Sequence, residues 1–345
     1  MRAALREAVK GCGATSPNPA VGAVLVRDGR VIARGWHRCA GMPHAEVEAL
    51  RNLPDPALAS GATLYVTLEP CSTTGRTPPC TEAILSAGIS RVVVGARDPH
   101  PSHSGRGLEM LRQHGVAVVS GVLEQECAHI NRAFFKWITT RRPWVVAKAA
   151  LSLDGRLTRP PGEGPWLTGP AALRDAHRLR ALSDAVLIGA GTLRADNPSL
   201  TVRHVPLPPH KPQPLRVVLT RGSVPLPAEA KVFTDSEKTR TLVFDARPLD
   251  SVLAELGEKY AVNQLLVEGG GEVLGAFFDG GYVDEVCFYL APILCGGPTV
   301  GVGGLGAAST LESPLLHRVE YRRLGRDLRL TGLVSRAEAV SSEGA

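Results

Sequence analysis

The sequence predicts two α/β domains in tandem, on three observations. Runs of apolar, β-branched residues alternate with helical patterns through most of the chain, as expected of strands packed between helices. The alternation halts at Arg141-Arg142-Pro143, where proline disfavours a helical residue before it, and then begins afresh. The chain has 345 residues, about twice a common domain length. The expected division is 1–141, 142–337 and a disordered tail, rich in Ser, Glu and Ala, over 338–345.

In the first half, MRAALREAVKG reads as an amphipathic helix rather than a signal peptide, which would carry a continuous apolar core. AVGAVLVRDGRVIARGW gives two strands joined at Asp28-Gly29, a two-residue hairpin signal. AEVEALRNL follows as a helix, ATLYVTL as a strand, TEAILSAG as a helix stopped by Gly88, and RVVVGA as a strand. GLEMLRQHG and VAVVSG repeat the pair. A long helix is expected from Leu123 to Thr140, with Ile130, Phe134 and Trp137 forming a core-packing stripe. The result is a three-layer domain.

The second half starts with the strand WVVAKAALSLDG, the helix PAALRDAHRLRAL, and the strand and glycine turn DAVLIGAGT. A Pro-rich stretch, PLPPHKPQP, leads into the strand LRVVLT. TLVF, QLLVEGGGEVLGAFF (strand, Gly loop, helix) and DEVCFYLAP come next, and RVEYRRLG with DLRLTGLV makes an antiparallel finish. No internal repeat is present.

Composition narrows the function classes. Hydrophobic residues are 44% and charged residues 21%, enough for ordinary globular cores. A net charge of +6 suits nucleic acid or a small phosphorylated substrate equally. No block of five like charges occurs, and aromatics are 5% and scattered, which speaks against a nucleic-acid surface. No run approaches the length of a spanning helix, so no membrane is expected. Seven cysteines without a secretory signal point to a reducing, cytoplasmic setting.

Two segments carry chemistry in the first half: PHAEVEAL, and LEPCSTTGRTPPC. A hydrolytic zinc site needs three protein ligands and one open position. His44, Cys71 and Cys80 offer one imidazole and two thiolates. Both cysteines follow prolines where helices plausibly begin, and a helix N-terminus favours thiolate over thiol. Zinc so held acidifies water towards neutrality. Glu46, two residues from His44 and free of the metal, can take a proton from that water and pass it to a ring nitrogen. His-x-Glu followed by Pro-Cys and a second Cys is the zinc nucleobase-deaminase signature, although eight residues rather than two separate the cysteines here. A structural zinc site would want a fourth ligand, and none lies at suitable spacing. Cys12, Cys39, Cys127, Cys287 and Cys295 read as small apolar filler.

The second half offers Gly189-Ala190-Gly191-Thr192 and Gly269-Gly270-Gly271-Glu272, glycine turns after strands. Such turns can cradle a pyrophosphate or simply join a strand to a helix, and the GxGxxG fingerprint is absent. Arg174, Arg178, Arg180, Arg194 and Arg203 form either solvated faces or an anion site.

TSPNPAVGAVLV, GWHRCAG, PHAEVEAL, YVTLEPCS, GRTPPC and AKAALSLDGR resemble the bifunctional deaminase/reductase family of riboflavin biosynthesis, from Met1 to about Leu333. The resemblance implies a cytidine-deaminase-like domain followed by a dihydrofolate-reductase-like α/β domain. It implies one Zn2+ per chain on His44, Cys71 and Cys80, with Glu46 catalytic. It implies NADPH as hydride donor, a small phosphorylated pyrimidine as substrate, and a homo-oligomer with no nucleic-acid partner.

Residue by residue, Asn18 and His37 match pyrimidine-contacting positions; read alone they are a turn residue and a surface histidine. Ala150, Trp166, Thr192, Asp196 and the run Gly270, Gly271, Glu272, Val273, Leu274, Gly275, Ala276 match cofactor-contacting positions. Arg180, Leu200, Arg203 and Glu268 match substrate-contacting ones, with Arg203 suited to a 5′-phosphate. Lys148 and Asp154 are candidates for holding the opened sugar or relaying a proton. Gly164 and Arg221 stand where the family commonly has serines, and Thr73-Thr74 where it often has histidines. The rival readings are a nucleic-acid base deaminase with an appended binding domain, and a zinc-stabilised scaffold in which Glu46 has no task.

Overall fold

The computed structural model describes residues 1–73, 78–100, 103–157 and 167–335. Trp166, Gly164, Thr74 and the 338–345 tail lie outside them. Two compact units form, Met1–Arg141 with Pro208–Lys211, and Arg142–Leu207 with Pro212–Ala345. Among the described residues no helix is long and apolar enough to cross a membrane.

The first unit runs α1 (Arg2–Val9), β1 (Gly22–Arg27), β2 (Arg30–Trp36), α2 (Ala45–Arg51), β3 (Thr63–Leu68), α3 (Cys80–Ser86), β4 (Arg91–Ala96), α4 (Arg106–Gln113), β5 (Ala117–Val119), α5 (Glu124–Ile130) and α6 (Arg132–Thr140). Its sheet has the order β2-β1-β3-β4-β5, with β1 antiparallel to both neighbours and β3, β4 and β5 parallel. Asp28 and Gly29 both take positive φ, 49° and 72°, as a two-residue hairpin loop requires. Leu25, Leu64, Ile84, Leu108 and Leu111 fill the core between sheet and helices.

The expected single helix from Leu123 to Thr140 is broken. Asn131 stops α5, and its amide takes both main-chain groups of Ala20: Oδ1 accepts the Ala20 N–H at 2.8 Å and Nδ2 donates to the Ala20 carbonyl at 2.9 Å. The break rotates the stripe. Ile130, Phe134 and Trp137 stay half-exposed, and Phe135 packs instead against the Leu68, Ala96 and Cys127 cluster.

The second unit runs β6 (Trp144–Ser152), α7 (Pro170–Leu182), β7 (Ala185–Gly189), α8 (Ala190–Asp196), β8 (Leu215–Thr220), α9 (Lys231–Thr234), β9 (Thr241–Asp245), α10 (Leu249–Glu258), β10 (Gln264–Val267), α11 (Gly271–Asp279), β11 (Glu285–Ala291), β12 (Leu315–Leu324) and β13 (Asp327–Ser335). The sheet order is β12-β13-β11-β6-β10-β7-β8-β9; β12, β13 and β11 pair antiparallel and the rest parallel. Successive β6 residues serve opposite cores. Val145, Ala147 and Ala149 pack with α10 and α11 side chains, and Val146 packs with Ala172 and Ala176 of α7. Both sheet faces are thereby covered, which explains why β7 is buried along its whole length. Helix α10 has no counterpart in the sequence reading.

One close approach aims the first unit's chemistry. A Cβ on Gly35 of β2 would lie 2.3 Å from the Ala49 nitrogen and 2.5 Å from the Ala45 carbonyl oxygen. Helix α2 therefore rests directly on the β2 backbone, and His44 is its N-cap. Gly35→Ala should destabilise the unit by about 1–3 kcal/mol, the cost of overpacking a close contact, and lower its bound metal. An unchanged melting temperature would show that α2 can move away freely.

Candidate active sites

The first site is assembled from three separate elements. His44 caps α2 in an extended conformation, Cys71 leaves the end of β3, and Cys80 opens α3. His44 Nδ1 lies 3.1 Å from Cys80 Sγ and 3.5 Å from Cys71 Sγ, and the three ligand atoms fall within 4.8 Å of one another. Zn–S bonds of about 2.3 Å and Zn–N bonds of about 2.0–2.1 Å put tetrahedral ligand atoms at such separations. One imidazole and two sulfurs, with no fourth candidate ligand in the group, suit zinc with an open position.

Electrostatics inside the trio favour thiolate at Cys71. Hydrogen bonds from the Cys80 thiol and from His44 hold the Cys71 thiol well below its ordinary range, and the Cys80 N–H adds a third at 3.3 Å. The bond to Cys71, with burial, pushes Cys80 the other way. Glu46 is 3% exposed in the first turn of α2 and outside the ligand group. Burial raises its carboxyl to about 7, against the pull of His44. A group so poised both takes and returns a proton near neutrality.

His37 is buried, not a surface residue. Its Nδ1 faces the Pro43 carbonyl at 3.0 Å and so carries the proton; Nε2 then accepts from Asn18 Nδ2 at 3.1 Å. The His37 ring meets the His44 ring edge-on, 5.3 Å between centroids, which brings Asn18 and His37 beside the ligand trio. Thr73 is exposed.

Glu69 has a supporting role that the sequence reading missed. Its buried carboxylate accepts the N–H groups of Asp98, Gly105 and Gly107 at 3.2, 2.9 and 3.0 Å. A Cβ on Gly107 would lie 2.1 Å from the Pro70 carbonyl oxygen. Helix α4 is thus clamped onto the peptide that leads into Cys71. The available signal was a glutamate directly after an apolar strand and before Pro-Cys.

The second site is a groove of about 2010 Å³ in the second unit, larger than the range of about 300–1,000 Å³ for one small ligand. At its floor Glu268 is gripped by Arg180, with Nε at 2.6 Å and Nη2 at 3.0 Å, and by Lys148 Nζ at 3.3 Å. Burial alone would raise the Glu268 pKa, but the two cations outweigh it and hold the carboxylate well below its usual range. Helices α8 and α11 open into the same groove at Gly189 and Gly270, and neither has a side-chain N-cap. Two sets of N–H groups therefore face one space, a fit for a pyrophosphate.

Of the expected residues, Lys148, Ala150, Arg180, Thr192, Asp196, Leu200, Arg203, Glu268, Gly270, Gly271, Glu272, Val273 and Ala276 line this groove, as does Arg221. Leu274 does not: it is fully buried against the strands. Gly275 faces Gly303 and Gly304, 2.3–2.4 Å from where its Cβ would be. Asp154 also stays outside the lining. Its carboxylate accepts from Ser152 Oγ at 2.6 Å and from the Cys295 and Gly296 N–H groups at 3.0 and 2.7 Å, so it braces a turn.

Comparison with known proteins finds a family match in each half of the chain. Residues 1–96 match the cytidine and deoxycytidylate deaminase zinc-binding region, and residues 143–330 match the RibD C-terminal domain. The riboflavin biosynthesis protein RibD of Aquifex aeolicus is 40% identical over 348 residues, covering 95% of this chain and 96% of that one. Its Escherichia coli counterpart is 40% identical over 357 residues, with 95% and 96% covered. Among solved structures, Acinetobacter baumannii RibD superposes with a TM-score of 0.88 at 36% identity, over 97% of this chain and 98% of that one. A Thermotoga maritima diaminohydroxyphosphoribosylaminopyrimidine deaminase/5-amino-6-(5-phosphoribosylamino)uracil reductase gives 0.85 at 36% identity, over 97% of each chain.

Replacing either sulfur ligand tests the trio. Cys71→Ala or Cys80→Ala should leave bound zinc well below one per chain by elemental analysis. Full zinc in both variants would mean that the ligand set is wrong.

Proposed function

The chain belongs to the RibD family of bifunctional riboflavin-biosynthesis enzymes, and on that premise we propose which residues carry each half-reaction. Residues 1–141 hydrolyse the exocyclic amine of a 2,5-diamino-6-ribosylamino-4(3H)-pyrimidinone 5′-phosphate. Residues 142–337 reduce the ribosyl chain of the product to ribityl with NADPH. The reading as a nucleic-acid base deaminase with a binding appendage leaves the reductase-like second half without a task.

One observation carries the deaminase assignment: a buried carboxylate, Glu46, beside a three-ligand metal set that does not include it. Zinc held by His44, Cys71 and Cys80 supplies the Lewis acidity that makes water a nucleophile near neutral pH. Glu46 would take one proton from that water and deliver it to the ring nitrogen, then take the water's second proton and give it to the exocyclic amine, which leaves as ammonia. His37, with both ring nitrogens engaged, orients Asn18 towards the pyrimidine.

In the reductase half, bound NADPH supplies the hydride. The N–H groups of Gly270 and Gly271 and of the α8 turn would hold its pyrophosphate, with Thr192, Asp196, Glu272, Val273, Ala276 and Ala150 lining the same groove. Lys148 and Glu268, 3.3 Å apart, grip the opened sugar, and Lys148 offers a proton at the reacting end. Arg180 keeps Glu268 ionised, Leu200 packs under the sugar, and Arg203 holds the 5′-phosphate.

The enzyme works in the cytoplasm as a homo-oligomer. Supporting the oligomer is β12, a ten-residue edge strand with exposed Leu315, Val319 and Tyr321, whose open row of backbone groups a second copy would cover.

Glu46→Gln should cut deamination at least about a hundredfold while keeping zinc and reducing the pre-deaminated substrate normally, product masses being the readout. Near-normal deamination would remove Glu46 from the mechanism. Arg203→Ala should raise the reductase KM about ten- to hundredfold, the worth of a charge-assisted phosphate contact, and leave deamination alone. Unchanged reductase kinetics would return Arg203 to a solvated surface role.

A further inference from the structure

The stretch Ser199–Arg203, between α8 and β8, has no regular secondary structure, yet its backbone is held at every turn by side chains from elsewhere. Arg216 Nη1 donates to the Ser199 carbonyl at 3.2 Å, and Arg180 Nη1 to the Thr201 carbonyl at 3.2 Å. Gln213 brackets Val202, accepting its N–H at 2.7 Å and donating to its carbonyl at 3.1 Å. His177 Nδ1 accepts the Arg203 N–H at 3.1 Å. Leu200 and Val202 are buried between these clamps, while the Arg203 side chain is exposed at the groove.

We propose that His177, assisted by Gln213, is a positioning residue that sets the distance between the phosphate grip of Arg203 and the sugar-holding Glu268. The inference rests on the phosphate role given to Arg203 above. His177 and Arg180 stand one turn apart on α7, so one rigid helix holds the loop at Arg203 and Thr201 and, through Arg180, holds Glu268. The reach from reacting sugar carbon to terminal phosphate is therefore fixed by the helix rather than by a free loop. His177 is 1% exposed, and burial, with the nearby Arg180, lowers its pKa to about 4. It is thus neutral at working pH, with the Nδ1 lone pair available to the Arg203 N–H. The His204 ring packs edge-on against it at 4.6 Å.

The test uses the full-length enzyme, 5-amino-6-(5-phosphoribosylamino)uracil, and the same compound without its phosphate. His177→Ala should raise KM for the phosphorylated substrate about five- to tenfold, one hydrogen bond's net worth, with kcat within about twofold. The dephosphorylated substrate should show no change. Combined with Arg203→Ala, the loss should be no greater than that of Arg203→Ala alone. His177→Asn, whose Oδ1 replaces Nδ1, should restore KM, and His177→Gln should not; this pair decides the matter if the alanine variant fails to fold. A kcat loss at constant KM, an equal effect on both substrates, full additivity with Arg203→Ala, or equal behaviour of Asn and Gln would overturn the positioning role. An Arg203→Ala enzyme with unchanged KM would overturn the phosphate reading beneath it as well.

Discussion

A carboxylate buried at the floor of a groove stays ionised only if cations hold it there, and the second unit is organised around meeting that condition for Glu268. The Arg180 guanidinium takes both oxygens and Lys148 takes one, so three side chains from α7, β6 and the end of β10 are locked together. Breaking such a pair by removing one partner strands a charge. The geometry that follows from it, including the position of α7 and the direction of Lys148, is therefore stiff. A reducing site in which the cofactor carries the difficult step gains most from that stiffness, because positioning is the protein's main contribution.

The first unit solves a different problem with the same economy of means. Three ligands arrive from a helix cap, a strand exit and a helix start, none of which could be moved alone. Gly35 lets α2 lie on its strand, and Gly107 lets α4 press on the Pro70 peptide, where Glu69 ties it down with three N–H bonds. The trio is thus held in place by two backbone contacts that tolerate no side chain between them. Glu46 gains its raised pKa from the same burial. Tight packing and proton chemistry are here one arrangement.

Much of this was legible in the chain itself, wherever the cause is local. The hairpin at Asp28-Gly29 follows from two residues that accept positive φ, and His44, Glu46 and Cys80 mark helix starts directly, whereas Cys71, read as another helix start, leaves a strand. What escaped depends on partners far along the sequence. Asn131 interrupts an apolar helical stripe because Ala20, 111 positions away, needs its amide. Asp154 braces the Cys295–Gly296 turn, 141 and 142 positions away. Leu274 and Gly275 sit in a run whose other members line the groove, but a period of 3.6 turns some of any consecutive set inward. Helix α10 is a different kind of miss: Leu249, Val252, Leu253 and Leu256 carry a helical pattern that was there to be read.

The pairing of Asn131 with Ala20 also bears on how the first unit comes into being. Ala20 ends the SPNPA turn that presents Asn18, so the pocket's first residues are secured by nearly the last of the unit. The segment matching the zinc-binding family ends at residue 96 and holds every metal ligand, yet it lacks this clasp. A ribosome delivering the chain from its N-terminus exposes all the ligands well before Asn131 emerges. The residues that would bind the metal and the residue that secures the turn are thus made in that order, ligands first and clasp last.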